Sequence, residues 1–247
     1  MELILLVTIF MIAFVIGILA SMTGLGGGFL IVPVLLLLFE MPIKVAIGTS
    51  TMVITFVGLS SAFSYWRRDL TDLRLIIPLG IGVVVGAQMG ALLTTPIPED
   101  TLSRMIGVLF IVISIFMFLK REDSTKREYS VTSGLLLFFG SLIGVYSGLF
   151  GMGGGLFMVP ILSVLGVPIL LAVASSASVT FFSGLSGASR HMMLGQVDLV
   201  VGFSASMGVI LGAQIGPAVA TRLKPETLKK AFSILIAAIG VVMLLTQ

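Results

Sequence analysis

Two copies of one glycine-rich signature lie in opposite halves of this 247-residue chain, each inside a long apolar stretch. The first reads T-G-L-G-G-G-F-L-I-V-P from Thr23 to Pro33, and the second reads F-G-M-G-G-G-L-F-M-V-P from Phe150 to Pro160. A glycine triplet followed so closely by proline does not fit a plain helix. Glycine loosens the backbone, and proline removes a helix hydrogen bond. The pattern therefore predicts a duplicated unit with a broken helix in each half.

The surrounding residues place these breaks in a bilayer. Hydrophobic residues make up 57% of the chain and charged residues 10%, against about 25% charged in an ordinary soluble domain. Apolar runs lie near 3–20, 24–38, 45–63, 76–94, 103–119, 131–149, 153–165, 169–187, 200–218 and 229–245. Their lengths suit bilayer crossings, and their continuity does not suit the alternating strands of a barrel. The expected fold is an all-α polytopic membrane protein with about 8–10 membrane segments. The first segment has no basic n-region and runs straight into the glycine signature, which argues against a cleaved signal peptide. The chain has no cysteine and one histidine, so the sequence calls for no disulfide, metal or cofactor chemistry.

Charge predicts orientation. If the runs alternate from side to side, Lys44, Arg104 and Arg190 fall on one side and the other eleven of the fourteen Lys and Arg on the opposite side. The positive-inside rule then places loops 64–75, 120–130 and 219–229 in the cytoplasm and both termini outside. The net charge of +3 is read as topology rather than as a nucleic-acid footprint. The first half thus starts outside and the second inside, so the halves are inverted with respect to each other, an arrangement shared by many alternating-access carriers. Whether 3–20 and 24–38 are full spans or a re-entrant hairpin stays open, because both give every charged loop the same side.

The duplication extends beyond the glycines. At an offset of 126, Met41-Pro42 falls on Val167-Pro168, Thr49-Ser50-Thr51 on Ser175-Ser176-Ala177, Gly58 on Gly184 and Asp72 on Asp198. Gly86-Ala87-Gln88-Met89-Gly90 falls on Gly212-Ala213-Gln214-Ile215-Gly216. The predicted organisation is a first repeat over 1–120, a charged cytoplasmic linker over 121–130 and a second, inverted repeat over 131–247.

The strongest site candidates are Gly26, Gly27 and Gly28 with Gly153, Gly154 and Gly155. Runs of glycine expose backbone N–H groups, and at the start of a half-helix these N–H groups suit an anion. The competing reading is that the glycines only allow close helix packing. Gln88 and Gln214 are lone amides in apolar runs, so each should face the protein interior, toward a substrate or a neighbouring helix. Thr49, Ser50, Ser175 and Ser176 open the third apolar run of each half and could line a polar path. They could equally bond back to their own helices. Arg190 and His191 are candidates for an external gate, and Tyr65-Trp66-Arg67-Arg68 reads as an interfacial anchor. No Asp, Glu or Lys lies deep in an apolar run, so no carboxylate proton relay is evident.

The paired G-x-G-G-G-x-x-x-V-P signatures, led by Gly24 and Gly151, together with the G-A-Q-x-G repeats and the length, resemble the sulfite exporter family called TauE/SafE. The likeness spans essentially the whole chain. The family comprises bacterial and archaeal inner-membrane permeases linked to export of sulfite, sulfoacetate and related organosulfonates. Some members are tied to other small anions or carboxylates. The resemblance implies inverted halves, a central anion site at the glycine motifs with Gln88 and Gln214 nearby, and movement coupled to protons or membrane potential. Its partners would be a small inorganic or organic anion and the lipid bilayer, and both monomer and homodimer remain open. The expected function is secondary transport. An anion channel, a membrane scaffold and a membrane-embedded enzyme are the rivals, the last with no nucleophile–base constellation to support it.

Overall fold

The computed structural model describes residues 2–24, 26–119, 131–220 and 241. The charged linker, the basic residues Arg222 to Lys230 and, apart from residue 241, the apolar run 229–245 lie outside the described residues. Within them the chain forms α1 (Glu2–Thr23), α2 (Gly28–Leu37), α3 (Ile43–Trp66), α4 (Leu73–Thr94), α5 (Glu99–Leu119), α6 (Ser133–Phe150), α7 (Gly155–Val164), α8 (Ile169–Met193) and α9 (Leu199–Ala220). Among the described residues six helices, α1, α3, α4, α6, α8 and α9, are long and apolar enough to cross a membrane. The protein is an all-α, multi-pass membrane protein.

The two glycine-led runs do not span. α2 and α7 have 10 residues each, about 15 Å at 1.5 Å per residue and half the hydrocarbon thickness. They are half-helices. Pro33 and Pro160 do not end them; both lie inside, and the helices continue to Leu37 and Val164. A transmembrane helix tolerates such a proline because neighbouring groups in the protein can satisfy the carbonyl it leaves. Pro42 and Pro168 stand as N-caps of α3 and α8 with nearly equal backbone angles (φ −51° and −53°), since proline presets the entry to a helix.

Small residues set the packing. Gly82, Gly86 and Gly90 on α4 face the backbone of α6 at Leu137, Ser141 and Val145, and Gly140, Gly144 and Gly148 on α6 face Leu79, Val83 and Ala87. The α1–α9 pair repeats this contact, with Gly208, Gly212 and Gly216 against Phe10, Phe14 and Ile18. Lipid gives helices no hydrophobic reason to associate, so backbone-to-backbone approach along small-residue faces does the holding. The outward faces remain apolar, as in Ile77, Ile81 and Val85 of α4 and Val200, Phe203 and Met207 of α9.

Two apolar clusters fill the interior, and each draws on both halves of the chain. One joins α1, α2, α3 and α5 to Val201, Ala205 and Val209 of α9; the other joins Leu75, Leu79 and Val83 of α4 to α6, α7 and α8. α3 is the most enclosed span, with 78% of its most apolar stretch buried against 33% for α1. The anchor segment divides. Trp66 is exposed and Arg67 lies 5.6 Å from the Phe63 ring, whereas Tyr65 is buried and donates to the Ser21 carbonyl at 2.9 Å. A buried phenol needs an acceptor, and the last turn of α1 supplies one.

Candidate functional site

Each break begins with a helix end. Gly24 and Gly151 both take φ +68°, the left-handed conformation that closes a helix, and their N–H groups bond back to Ala20 and Ser147 at 3.0 and 2.8 Å. Serines from the two central helices hold these ends. Ser50 Oγ of α3 donates to the Gly151 carbonyl at 2.6 Å, and Ser176 Oγ of α8 donates to the Gly24 carbonyl at 2.8 Å. The two bonds are matched: each serine comes from one half and grips the break of the other.

After the breaks the chain turns back. Gly26 (φ +84°) and Gly153 (φ +71°) come face to face; a methyl built on Gly26 would stand 3.5 Å from the Gly153 Cα. Two residues later the half-helices start, so the first turns of α2 and α7 meet at one point. Gly28 lies directly on the backbone of Gly151 and Met152. Gly27 packs on Ala20, Ile16 and Val57, while Gly154 packs on Ile143 and Met158. All of the described glycines in both motifs are buried.

The meeting point lies halfway along α3 and α8, beside Ile54 and Thr180. The Gly26 methyl position is 3.4 Å from Thr180 Oγ1 and 3.3 Å from its Cγ2; the Gly153 position is 3.3 Å from the same Cγ2 and 3.5 Å from Ile54 Cδ1. Beyond Thr180, Ser183 Oγ donates to the Thr180 carbonyl at 3.2 Å and stands 3.2 Å from Ser147 Oγ. Helix starts carry the positive ends of the peptide dipoles. The buried polar and charged side chains among the described residues are serines, threonines and His191, with no carboxylate among them to offset that field. The junction is thus small and buried, and the starts of α2 and α7 adjoin the ends of α1 and α6 there.

Of the sequence candidates, this junction brings together Gly26, Gly28 and Gly153, with Gly27, Gly154 and Gly155 beside them; Ser50 and Ser176 pin its two ends. Thr49 Oγ1 accepts from the Asp198 N–H at 2.9 Å, which ties the start of α3 to the start of α9. Ser175 is buried with no hydrogen-bond partner for its Oγ. Gln88 and Gln214 lie elsewhere, at helix crossings. Gln88 is half-buried and its amide donates to the Ser186 carbonyl at 2.8 Å; Gln214 is exposed, and its amide donates to Ser60 Oγ at 2.8 Å. His191 is fully buried at the far end of α8. Its Nε2 lies 2.9 Å from the Gly148 carbonyl oxygen and its Nδ1 lies 2.8 Å from the Gln196 side-chain oxygen Oε1. Arg190 is half-buried there, its Nε without a partner. Sequence reasoning passed over Thr180 and Ile54. One signal was available: the 126-residue offset sets Thr180 on Ile54, a polar residue against an apolar one in otherwise matched helices.

Among the described residues, no group of three or more His, Cys, Asp or Glu could hold a metal ion. Residues 9–243 match the family model described as Sulfite exporter TauE/SafE. The chain is 30% identical to Probable membrane transporter protein YunE of Bacillus subtilis, over 97% of this chain and 96% of that protein. It is 31% identical to Probable membrane transporter protein YdhB of the same organism, over 96% and 99%. It is 28% identical to Probable membrane transporter protein MJ0441 of Methanocaldococcus jannaschii, over 98% and 97%. No solved structure gives a significant match. With nearly the whole chain covered by the family model and by these relatives, the protein belongs to the TauE/SafE family of membrane transporters.

Proposed function

We propose that this protein is a secondary carrier that exports a small anion across the inner membrane by alternating access, with the glycine junction as its binding site. Sulfite or an organosulfonate such as sulfoacetate is the proposed substrate, following the family. The observation that carries the reading is the convergence of two half-helix starts, from opposite halves of the chain, on one buried point midway along α3 and α8. Backbone N–H groups at two helix starts favour a negative charge there. Among the described residues the buried polar side chains include no carboxylate, which argues for the same sign.

The proposal includes an inverted repeat, with residues 1–120 and 131–247 as its halves. Matched contacts support it: Ser50 with Gly151 mirrors Ser176 with Gly24, and Gln88 with Ser186 mirrors Gln214 with Ser60. In such a repeat the α1–α2 and α6–α7 hairpins dip from opposite faces and meet at mid-depth. The glycine junction is closely packed, with a methyl position on Gly26 only 3.5 Å from the Gly153 Cα. Opening to one face then requires one hairpin to withdraw while the other keeps its serine tether. Both termini outside, basic loops in the cytoplasm and coupling to a proton or to membrane potential complete the proposal.

The test is uptake of radiolabelled sulfite, sulfoacetate, taurine and acetate into proteoliposomes, with pH gradient and membrane potential set separately. Saturable flux of a sulfur oxyanion or sulfonate that depends on either gradient supports the carrier. Non-saturating flux marks a channel, saturable flux of acetate alone marks a carboxylate carrier, and no flux from folded protein overturns the reading.

A further inference from the structure

Threonines in membrane helices ordinarily spend their hydroxyl on the carbonyl one turn back. Thr55 does so here toward Thr51 at 2.8 Å, as do Ser178 toward Ala174 at 3.2 Å and Ser163 toward Val159 at 2.8 Å. Thr180 does not. It is 1% exposed and its Oγ1 has no hydrogen-bond partner, although a buried hydroxyl left unpaired is costly. Its side chain stands against both Gly26 and Gly153, where the first turns of α2 and α7 meet. The matching position of the other half holds Ile54, fully buried and apolar, with its Cδ1 3.5 Å from the methyl position of Gly153. The junction is therefore lined by one unspent hydroxyl, at Thr180, and by hydrocarbon at the matching residue Ile54.

We infer that Thr180 is the side chain that ligates the transported anion, and that Ile54 makes the site select anions with one face free of oxygen. This inference rests on the anion-carrier reading above. Thr180 Oγ1–H donates to an anionic oxygen held between the two half-helix starts, a charge-assisted bond stronger than one between neutral groups. Ile54 meets another face of the anion, on the Gly153 side. Pyramidal sulfite presents a lone pair there and an organosulfonate presents carbon, and either rests against a methyl group at little cost. Sulfate is tetrahedral and would press an oxygen into Ile54, stripping its water without a new partner. Discrimination then arises because one analogue leaves a buried polar group unpaired.

The test uses radiolabelled sulfite and unlabelled sulfate with the full chain in proteoliposomes. Thr180→Val is expected to raise KM for sulfite about 10-fold to 100-fold, the loss of one hydrogen bond to a charged group, with thermal stability kept. Thr180→Ser keeps the hydroxyl and should stay close to the parent KM. Ile54→Thr, which makes the two matching positions alike, should let sulfate compete with sulfite where the parent protein resists it. If Thr180→Val misfolds, Thr180→Ala against Thr180→Ser reads the same contrast. A parent protein that transports sulfite while Thr180→Val matches its KM overturns the inference alone. So does Thr180→Ser failing as badly as Thr180→Val, since that marks a steric role. A parent protein that moves no member of the anion panel overturns the carrier reading and this inference with it.

Discussion

Gly26 and Gly28 sit two residues apart, yet they should respond to alanine in opposite order from the one backbone angles suggest. Gly26 has φ +84°, where an L-residue pays about 1–2 kcal/mol for left-handed backbone. The methyl of Gly26→Ala would meet Thr180 Cγ2 at 3.3 Å, Thr180 Oγ1 at 3.4 Å and the Gly153 Cα at 3.5 Å. A shift of a few tenths of an ångström in Thr180 relieves the closest of these. The total of about 1–2 kcal/mol corresponds to a melting shift of roughly 2–8 °C for a domain of this size. Gly28 is in ordinary helical backbone, where alanine is the better helix former. Its methyl, however, would fall on the Gly151 carbonyl oxygen and 2.6 Å from the Met152 Cα. Those are backbone atoms of the opposite hairpin, which cannot swing aside as a side chain can, so the two breaks must separate. Both variants would be purified in detergent, followed by size-exclusion profile and thermal unfolding, then assayed for sulfite uptake. Gly26→Ala should be folded, modestly less stable and impaired in uptake, because its methyl occupies the space beside Thr180. Gly28→Ala should be the more damaged fold. A Gly28→Ala protein as stable as its parent, or more stable than Gly26→Ala, would refute the close approach of the hairpins.

Three further outcomes follow from the packing and the charge pattern. Gly144→Val would drive a side chain into the Val83 carbonyl and the Ala87 N–H, so α4 and α6 must part; loss of the monodisperse folded peak is expected, and its retention would contradict the glycine-face contact. Ser176→Ala leaves the buried Gly24 carbonyl without its serine donor, at a cost of about 1–3 kcal/mol. Ser50→Ala should lower the melting temperature by a similar amount, and a large inequality would count against equivalent roles for the two tethers. Because the chain has no cysteine, Asp69→Cys in the α3–α4 turn and Gly195→Cys in the α8–α9 turn give clean labelling positions. An impermeant thiol reagent should reach Gly195→Cys from outside intact cells and Asp69→Cys only after the membrane is opened; the reverse pattern would invert the proposed topology.

Membrane residence, the position of both breaks and the candidacy of the glycine triplets were legible in the residues alone. Apolar runs long enough to cross a bilayer force helices, because no other single-segment structure satisfies its own backbone in lipid. A glycine triplet before proline breaks such a run wherever it stands. The doubling of the signature, at an offset of 127 and within one residue of the 126 that sets Met41-Pro42 on Val167-Pro168, tied two distant segments together without coordinates. Tertiary structure decided what these local rules cannot reach. Short helices and short spans look alike in composition, and only the 10-residue lengths of α2 and α7 made them half-helices. The G-A-Q-x-G motifs were equally compatible with substrate and with packing. Their glycines lie on the α4–α6 and α1–α9 faces, and Gln88 and Gln214 bridge to Ser186 and Ser60. Above all, the sequence orders residues along a line, whereas the candidate site lies where two lines cross. Gly26 and Gly153 meet because each apolar cluster is built from both halves, and that crossing left Thr180 beside both of them with its hydroxyl unpaired.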